Sequence, residues 1–465
     1  MMKVQLNNLG VLRYAEFTLG EMTIICGDNN TGKTYAAYAL YGFLYLWRDV
    51  LSIAISQKKI SELLNNGVVT INISPYIDDT ENILCNGCEK YSGRLLRIFA
   101  TSVDRLKEAT FSLSLGFEND KHIEIKQQYE RRINSFNREQ IFITKKEEST
   151  DITITLLAEK HNVNFPHEII SQVISDAIKD VIFGKYFPTP FIASAERTGA
   201  AIFRKELNFA KNRLLKEMSI SEKDIDPVEL LLKSYQDYAL PVEKDVDFIR
   251  KLEALAKEKG FLQEHHPDLL SDFASIIGGK YTVTKNDELY FTPDKKNVKL
   301  TMDESSSAVR SLLGIGFYLK HLAKPGDILI VDEPELNLHP ENQRKIARLF
   351  ARLVNIGIKV FITTHSDYII KELNTLIMLH NDSPHLEDIA KNEGYSSKEI
   401  INPEKIKVYI AEKSLVKVPG NKKRTHCQTL TPANIDPIMG IEAKSFDKTI
   451  NTMNRIQDEI IWGAD

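Results

Sequence analysis

The chain has 465 residues, 43% of them hydrophobic and 27% charged, with 60 basic side chains against 64 acidic ones for a formal charge of −4. That length supports roughly two to four structural units of about 100 to 200 residues each. The apolar content excludes a disordered chain, and the near balance of charge excludes a global positive field that would draw the whole molecule to nucleic acid or anionic lipid. The longest apolar stretch, Tyr35 to Trp47, is shorter than the about 20 residues of a spanning helix, so no membrane segment is expected. The opening Met1–Asn8 has no apolar run of the secretory kind, and four cysteines without framework spacing fit reduced thiols, so a cytoplasmic location is expected.

In chain order, Val4, Leu6, Leu9, Val11 and Phe17 surround an Asn-Asn-Leu-Gly turn, and Met22 to Cys26 is an apolar run ended by Gly27, which reads as strand, turn and buried strand. A helix is expected from Lys33 to about Trp47. Alternation at Val69/Ile71/Ile73, Phe111/Leu113/Leu115/Phe117, Ile123/Ile125 and Ile152/Ile154 predicts half-buried antiparallel strands in a β lobe. A buried strand at Pro190 to Ala193 leads into Ser194–Gly199, after which the chain turns charged and helix-rich, as a helical arm or lid would. Tyr281 to Leu300 reads as a hairpin, and helix and strand then alternate to about residue 381. The expected organisation is a first core part at 1–65, a β lobe and insertion at 66–188, and a return to the core at 189–199. A helical arm or lid follows at 200–278, a second core part at 279–381 and a C-terminal tail at 382–465. The fold class is α/β, with a mixed sheet, an antiparallel β lobe and an inserted helical arm.

Gly27-Asp28-Asn29-Asn30-Thr31-Gly32-Lys33-Thr34 fits G-x-x-x-x-G-K-[ST], after an apolar strand and at the start of a helix. Glycines let backbone N–H groups close around a phosphate, and the helix N-terminus adds partial positive charge. In that arrangement Lys33 would reach the β- and γ-phosphates of ATP while the Thr34 hydroxyl would ligate Mg2+. Ile328–Val331 then places Asp332 and Glu333 at the carboxyl end of a central strand, where α/β sheets bind ligands. Asp332 is the candidate for holding Mg2+ and Glu333 for polarising the attacking water, while Glu335 reads equally as a solvated loop acid. The next apolar strand, Phe361 to Thr364, ends in His365, a candidate γ-phosphate sensor.

Taken in order, Gly27–Thr34, Ser305–Arg310, Ile328–Glu333, Leu336–Pro340 and Thr364–Ser366 resemble the ABC-type ATPase heads of the SMC and RecF kind. Within that group the chain is similar to the stand-alone ATPases of bacterial anti-phage systems, the OLD, Septu and PARIS families. The resemblance implies an ABC-type ATPase head in which Gly27, Asn29, Asn30, Thr31, Gly32, Lys33 and Thr34 form Walker A. It implies that Asp332 and Glu333 form Walker B, that Asn337 lies on the D-loop, and that His365 is the switch histidine. Ser305, Ser306 and Ser307 fall on the signature segment, which in such proteins caps the γ-phosphate bound by the opposite subunit; the usual paired glycines are missing, which predicts slow hydrolysis. Glu196 and Arg197 fall on the loop that couples nucleotide to the cap domain, although the usual glutamine is absent, and Arg197 is the candidate there for a nucleotide contact.

The partners this implies are a second copy of the chain, a separate effector protein of the nuclease class, and DNA or a phage protein as the trigger. A built-in OLD-type nuclease would need an Asp-x-Asp pair after a strand-end glutamate; Ile406–Glu412 imitates the opening, but no such pair follows. The alternative is a RecF- or SMC-like repair ATPase that binds DNA itself, for which Lys407, Lys413, Lys417, Lys422, Lys423 and Arg424 are the phosphate-contact candidates. Cys85 and Cys88 would supply two thiolates to zinc only if His426 and Cys427, or a second copy, completed the set; free thiols are the default. Phe446, Ile450, Met453, Ile456 and Ile460 form one apolar face of a last helix with Ser445 as N-cap, suited to the core or to a partner.

Overall fold

The computed structural model describes the chain apart from residues 117–124, 126, 136–137, 158–166, 203–237, 287, 295, 297, 420–422, 443–451 and 461–465. It divides into two compact units, the first comprising Met1–Gln5, Phe43–Arg94 and Thr110–Pro188, the second Leu6–Gly42, Leu95–Ala109 and Thr189–Asp465. The chain passes from the second unit to the first inside helix Lys33–Val50, so the first core part ends near Gly42 rather than at residue 65.

The second unit is built on a six-stranded sheet in the order Thr425–Pro432, Ile406–Val416, Met22–Cys26, Lys359–Thr364, Asp327–Asp332, Thr189–Ala193. Every pairing is parallel except that of the Thr425 strand, which runs antiparallel to its neighbour. Met22–Cys26 and Asp327–Asp332 are buried at every position. That is why they read as unbroken apolar runs rather than as alternation: helices cover both faces of a parallel sheet. Helix Pro340–Asn355, capped by His339 and with proline at its start, packs Ile346, Leu349, Phe350 and Leu353 into the core beneath them.

Two expectations are corrected here. The segment at 382–465 is not a loose tail, because Ile406–Val416 pairs with the central Met22–Cys26 strand and Thr425–Pro432 extends the sheet. The Thr425 strand is the sheet edge and the Ile406 strand lies next to it, where half-buried Lys407 and Glu412 and exposed Lys413 interrupt the apolar pattern. The stretch expected as an arm also contributes to the core: Ile249, Leu252, Leu262, Leu269, Phe273 and Ile276, from helices between Leu240 and Ile277, share one hydrophobic cluster with Leu313 and Phe317. The remainder of that expected arm, 203–237, lies outside the described residues. The hairpin forms, Gly279–Val283 pairing with Leu289–Pro293. Residues 452–460 are helical, with Met453, Ile456 and Ile460 exposed; Ser445, Phe446 and Ile450 lie outside the described residues.

The first unit contains a four-stranded antiparallel sheet in the order Val68–Asn72, Asp151–Leu156, Arg138–Lys145, Tyr129–Ser135. Val69, Ile71, Ile141, Ile143, Ile152 and Ile154 are buried, as period-2 alternation demands of a sheet with one face on a core. Phe43, Tyr91, Phe111 and Phe187 pack ring to ring, with centroids 5.0 Å apart for Phe43–Phe111 and 5.4 Å for Phe43–Phe187. Cys85 and Cys88 lie on helix Thr80–Ser92, the first exposed and the second buried.

Candidate active site

Register decides where the functional residues meet. Thr364 lies opposite Cys26, Asp332 opposite Thr363, and Val331 opposite Ala193, so four neighbouring parallel strands end along one edge of the sheet. The segments leaving that edge are Gly27–Thr34, Asp332–Glu335, His365–Ser366 and Ser194–Arg197, at the position where α/β sheets bind ligands.

Gly27 leaves its strand at φ 136°, and a Cβ there would lie 2.7 Å from the Ala411 carbonyl oxygen, so neither the conformation nor the space admits another residue. Thr31 donates from its hydroxyl to the Asp28 carbonyl at 2.7 Å and stiffens the loop. Lys33, buried at the start of an 18-residue helix, donates from Nζ to the carbonyls of Gly27 at 3.0 Å and Asp28 at 2.8 Å. Burial pushes its pKa down, while the charges of Glu333, Asp332, Glu335 and Asp28 oppose that shift. The loop thus presents a desolvated cation and a helix N-terminus at one point, with Asn29 and Asn30 exposed beside it.

Asp332 is fully buried, and its Oδ1 accepts from the Thr34 hydroxyl at 3.3 Å and from the Thr363 hydroxyl. Its Oδ2 is buried with no hydrogen-bond partner among the described residues, and burial raises the carboxyl pKa to about 6. An orphaned carboxylate oxygen beside a threonine hydroxyl is a pair of hard oxygen donors, which fits Mg2+ and suits none of the softer metals better. Glu333 follows in the left-handed region at φ 52°, fixed by its N–H donating to the Thr363 carbonyl at 3.0 Å. Such a conformation is costly for glutamate and is kept where surrounding structure over-determines it.

Glu335 is buried, not a solvated loop acid. Its Oε1 accepts from the Thr364 hydroxyl at 2.9 Å and the His365 N–H at 2.7 Å, and lies 3.2 Å from His365 Nδ1. The same Nδ1 is 3.9 Å from Glu333 Oε1. Glu333, His365 and Glu335 therefore form one cluster.

Arg197 is a correction. Expected to touch nucleotide, it is instead buried, and its guanidinium donates to four backbone carbonyls: Ser311 at 2.9 Å, Ser194 at 2.8 Å, Asp332 at 2.6 Å and Glu333 at 2.7 Å. A planar fork of fixed donors is the side chain suited to tying separate backbone segments together, and that use leaves its donors turned away from a ligand. Burial lowers its pKa, opposed by Asp245, Asp332, Glu335 and Glu333. Glu196 accepts from the Tyr38 hydroxyl at 3.0 Å.

The signature segment stands on its own hydrogen bonds. Ser305 is buried and donates to the Thr301 carbonyl at 2.7 Å, exposed Ser306 caps helix Ser307–Ser311 by accepting from Val309 N–H at 3.3 Å, and Ser307 is half-buried. Among the described residues none of the three bonds to Gly27–Thr34. Asn337, exposed and at φ 61°, donates to Thr198 Oγ1 at 3.4 Å.

A family model, AAA_15, the AAA ATPase domain, matches residues 1–370 of this sequence. The chain belongs to the AAA ATPase domain family. Among curated proteins none matches. Solved structures similar to this AAA ATPase domain protein include the Smc head domain with an extended coiled coil bound to the C-terminal domain of ScpA, from Pyrococcus furiosus, at 13% identity, covering 98% of this chain and 100% of that one with a TM-score of 0.30. The SmcHead bound to the C-winged helix domain of ScpA is similar at 12% identity over 92% of this chain and 97% of that one, with a TM-score of 0.32. The SMC head domain from Thermotoga maritima is similar at 9% identity over 93% and 98%, with a TM-score of 0.29. At such scores these likenesses carry no weight here, and the fold rests on the topology above.

Sequence reasoning on this AAA ATPase domain protein missed Asp245 and Thr363 and undervalued Glu335. Asp245, on helix Leu240–Ile249, is buried and accepts from the Ser194 hydroxyl at 2.8 Å and its N–H at 3.3 Å. No local motif marks it, because its partner is 51 positions away.

Proposed function

We propose that this ATPase domain binds Mg2+-ATP in the Gly27–Thr34 loop and hydrolyses it slowly with Glu333 as the general base. The observation that carries this reading is the convergence of Lys33, Thr34, Asp332, Glu333 and His365 on one sheet edge. Lys33 exchanges its bonds to the Gly27 and Asp28 carbonyls for the β- and γ-phosphate oxygens, a charge-assisted replacement inside a desolvated loop. Thr34 and Asp332 would hold Mg2+, which supplies neutralisation of phosphate charge when bound. Glu333 takes the proton of the attacking water, and His365 contacts the γ-phosphate from the neighbouring strand end.

In this reading two copies close around the nucleotide, the serines Ser305–Ser307 of one capping the γ-phosphate held by Lys33 of the other, with Asn337 at the same interface. Opening and closing controls a separate effector, a nuclease of bacterial anti-phage defence in the cytoplasm, and a phage protein or DNA is the trigger. The motif order supports this reading, and the exposed Met453, Ile456 and Ile460 offer an effector an apolar handle. Light scattering of the Glu333→Gln protein with Mg2+ and ATP is the test: the mass should double relative to the nucleotide-free protein, and a monomer at saturating ATP would contradict the pairing. A nuclease gene in the adjacent reading frame would support the effector.

One observation favours the second reading, a RecF- or SMC-like ATPase acting on DNA. Lys413, Lys417, Lys423 and Arg424 are exposed on the hairpin of the Ile406 and Thr425 strands, and none forms an ion pair with a described residue. Binding of duplex DNA that weakens steeply with salt would move weight to that reading.

A further inference from the structure

His365 Nδ1 sits between two carboxylates, 3.2 Å from Glu335 Oε1 and 3.9 Å from Glu333 Oε1. The nearer is not the base assigned above. Glu335 is buried, and the same oxygen already accepts from the Thr364 hydroxyl and the His365 N–H, so the preceding side chain and the histidine's own backbone are held to the carboxylate that faces the ring. An ionised carboxylate only accepts, so a hydrogen bond to it requires the proton on Nδ1. Its other oxygen, Oε2, is buried and has no partner among the described residues. A half-satisfied buried carboxylate is costly to the fold and calls for an explanation outside stability.

We propose that Glu335 is a positioning residue of this site, taking the Nδ1–H of His365 and so keeping the imidazole off Glu333. Without the Glu335 charge the carboxylate left facing that N–H is Glu333, at 3.9 Å, and a base engaged by an imidazole is withdrawn from water. The two carboxylates thus divide the work: Glu335 orients the ring, and Glu333 stays free for the proton. The inference rests on the assignment of Glu333 as base and His365 as phosphate contact.

A double-mutant cycle in steady-state ATP hydrolysis by the full chain tests it, with Glu335→Gln, His365→Ala and the pair. Glu335→Gln keeps an acceptor oxygen for Thr364 and the His365 N–H but removes the charge. It should lower kcat about tenfold with KM for ATP within about twofold, a smaller fall than the roughly hundredfold or more that loss of an acid–base group itself costs, as suits a residue acting through another. Combined with His365→Ala, it should be no slower than the slower single variant, because Glu335 acts through the ring. Single-variant losses that multiply in the double variant, or a Glu335→Gln enzyme as fast as the parent, would overturn the proposal. So would a Glu335 effect alongside an inert His365→Ala. Should Glu335→Gln not fold, Glu335→Asp keeps the charge but withdraws it by one methylene, and the same non-additivity with His365→Ala is required. Failure of the underlying reading is distinct: the parent itself would not hydrolyse ATP, or Glu333→Gln would leave turnover intact, and the proposal would fall with it.

Discussion

The two sides of the candidate site are built in opposite ways. Gly27–Thr34 takes all its parts from eight consecutive residues, and its chemistry comes from backbone N–H groups and the lysine that follows them. The acid side is assembled from Ser194 and Arg197, Asp245, Ser311, Asp332–Glu335 and Thr363–His365, five separate stretches of chain that meet only in the fold. A local site announces itself by spacing, whereas an assembled one is defined by which groups are buried against which. The contrast can be broken or sharpened by substitution on each side.

The largest effect is expected on the local side. Lys33→Ala removes the loop's only cation and should weaken ATP binding by about a hundredfold or more, on the order of 3 kcal/mol, with the melting temperature of the nucleotide-free protein little changed. Titration of a fluorescent ATP analogue reads it, and affinity within a few fold of the parent would remove Lys33 from the phosphate site.

On the assembled side the first expected effect is on the fold. Arg197→Met leaves the carbonyls of Ser194, Ser311, Asp332 and Glu333 without their donor. Unfolding by denaturant should report a loss of about 3 to 5 kcal/mol, the cost of removing one partner from a buried charged network. A loss below about 1 kcal/mol would show that Arg197 is not the strut described, and would reopen its assignment to nucleotide.

The smallest effect is a pH dependence. Burial raises the Asp245 carboxyl to about 6, against the opposing influence of Ser194 and Arg197. The folded pKa lies above the unfolded one, so between about 4 and about 6 the unfolded chain releases its proton while the folded chain keeps it. Stability owed to this group therefore falls as pH rises through that window and levels off above it. The parent should lose up to about 3 kcal/mol relative to Asp245→Asn across that range. A difference between the two proteins that is flat with pH, measured by denaturant unfolding, would remove the buried charge from the account of the Ser194 loop.

The same contrast explains how much was legible in the sequence. The strand–loop–helix around Lys33 and the paired acids after Val331 were readable because local spacing and continuous apolar runs carry them. Arg197 was placed at the right loop but given the wrong partner, since a guanidinium that bonds four carbonyls and one that meets a phosphate look alike in one dimension. Glu335 read as evenly solvated or functional because burial, not identity, separates the two. The Ile406 and Thr425 strands escaped notice because Lys407, Glu412 and Lys413 interrupt the apolar pattern of the first, while the second, at the sheet edge, buries only Thr429 and Leu430.

The most direct test of the site is phosphate release from Mg2+-ATP by the parent and by Glu333→Gln, with nucleotide affinity measured on the same preparations. The expected result is turnover by the parent and a fall of about a hundredfold or more in the variant while affinity stays within about threefold, the signature of a lost general base. Turnover by Glu333→Gln at the parental rate, or no hydrolysis by the parent, would contradict the assignment of this sheet edge as the catalytic centre.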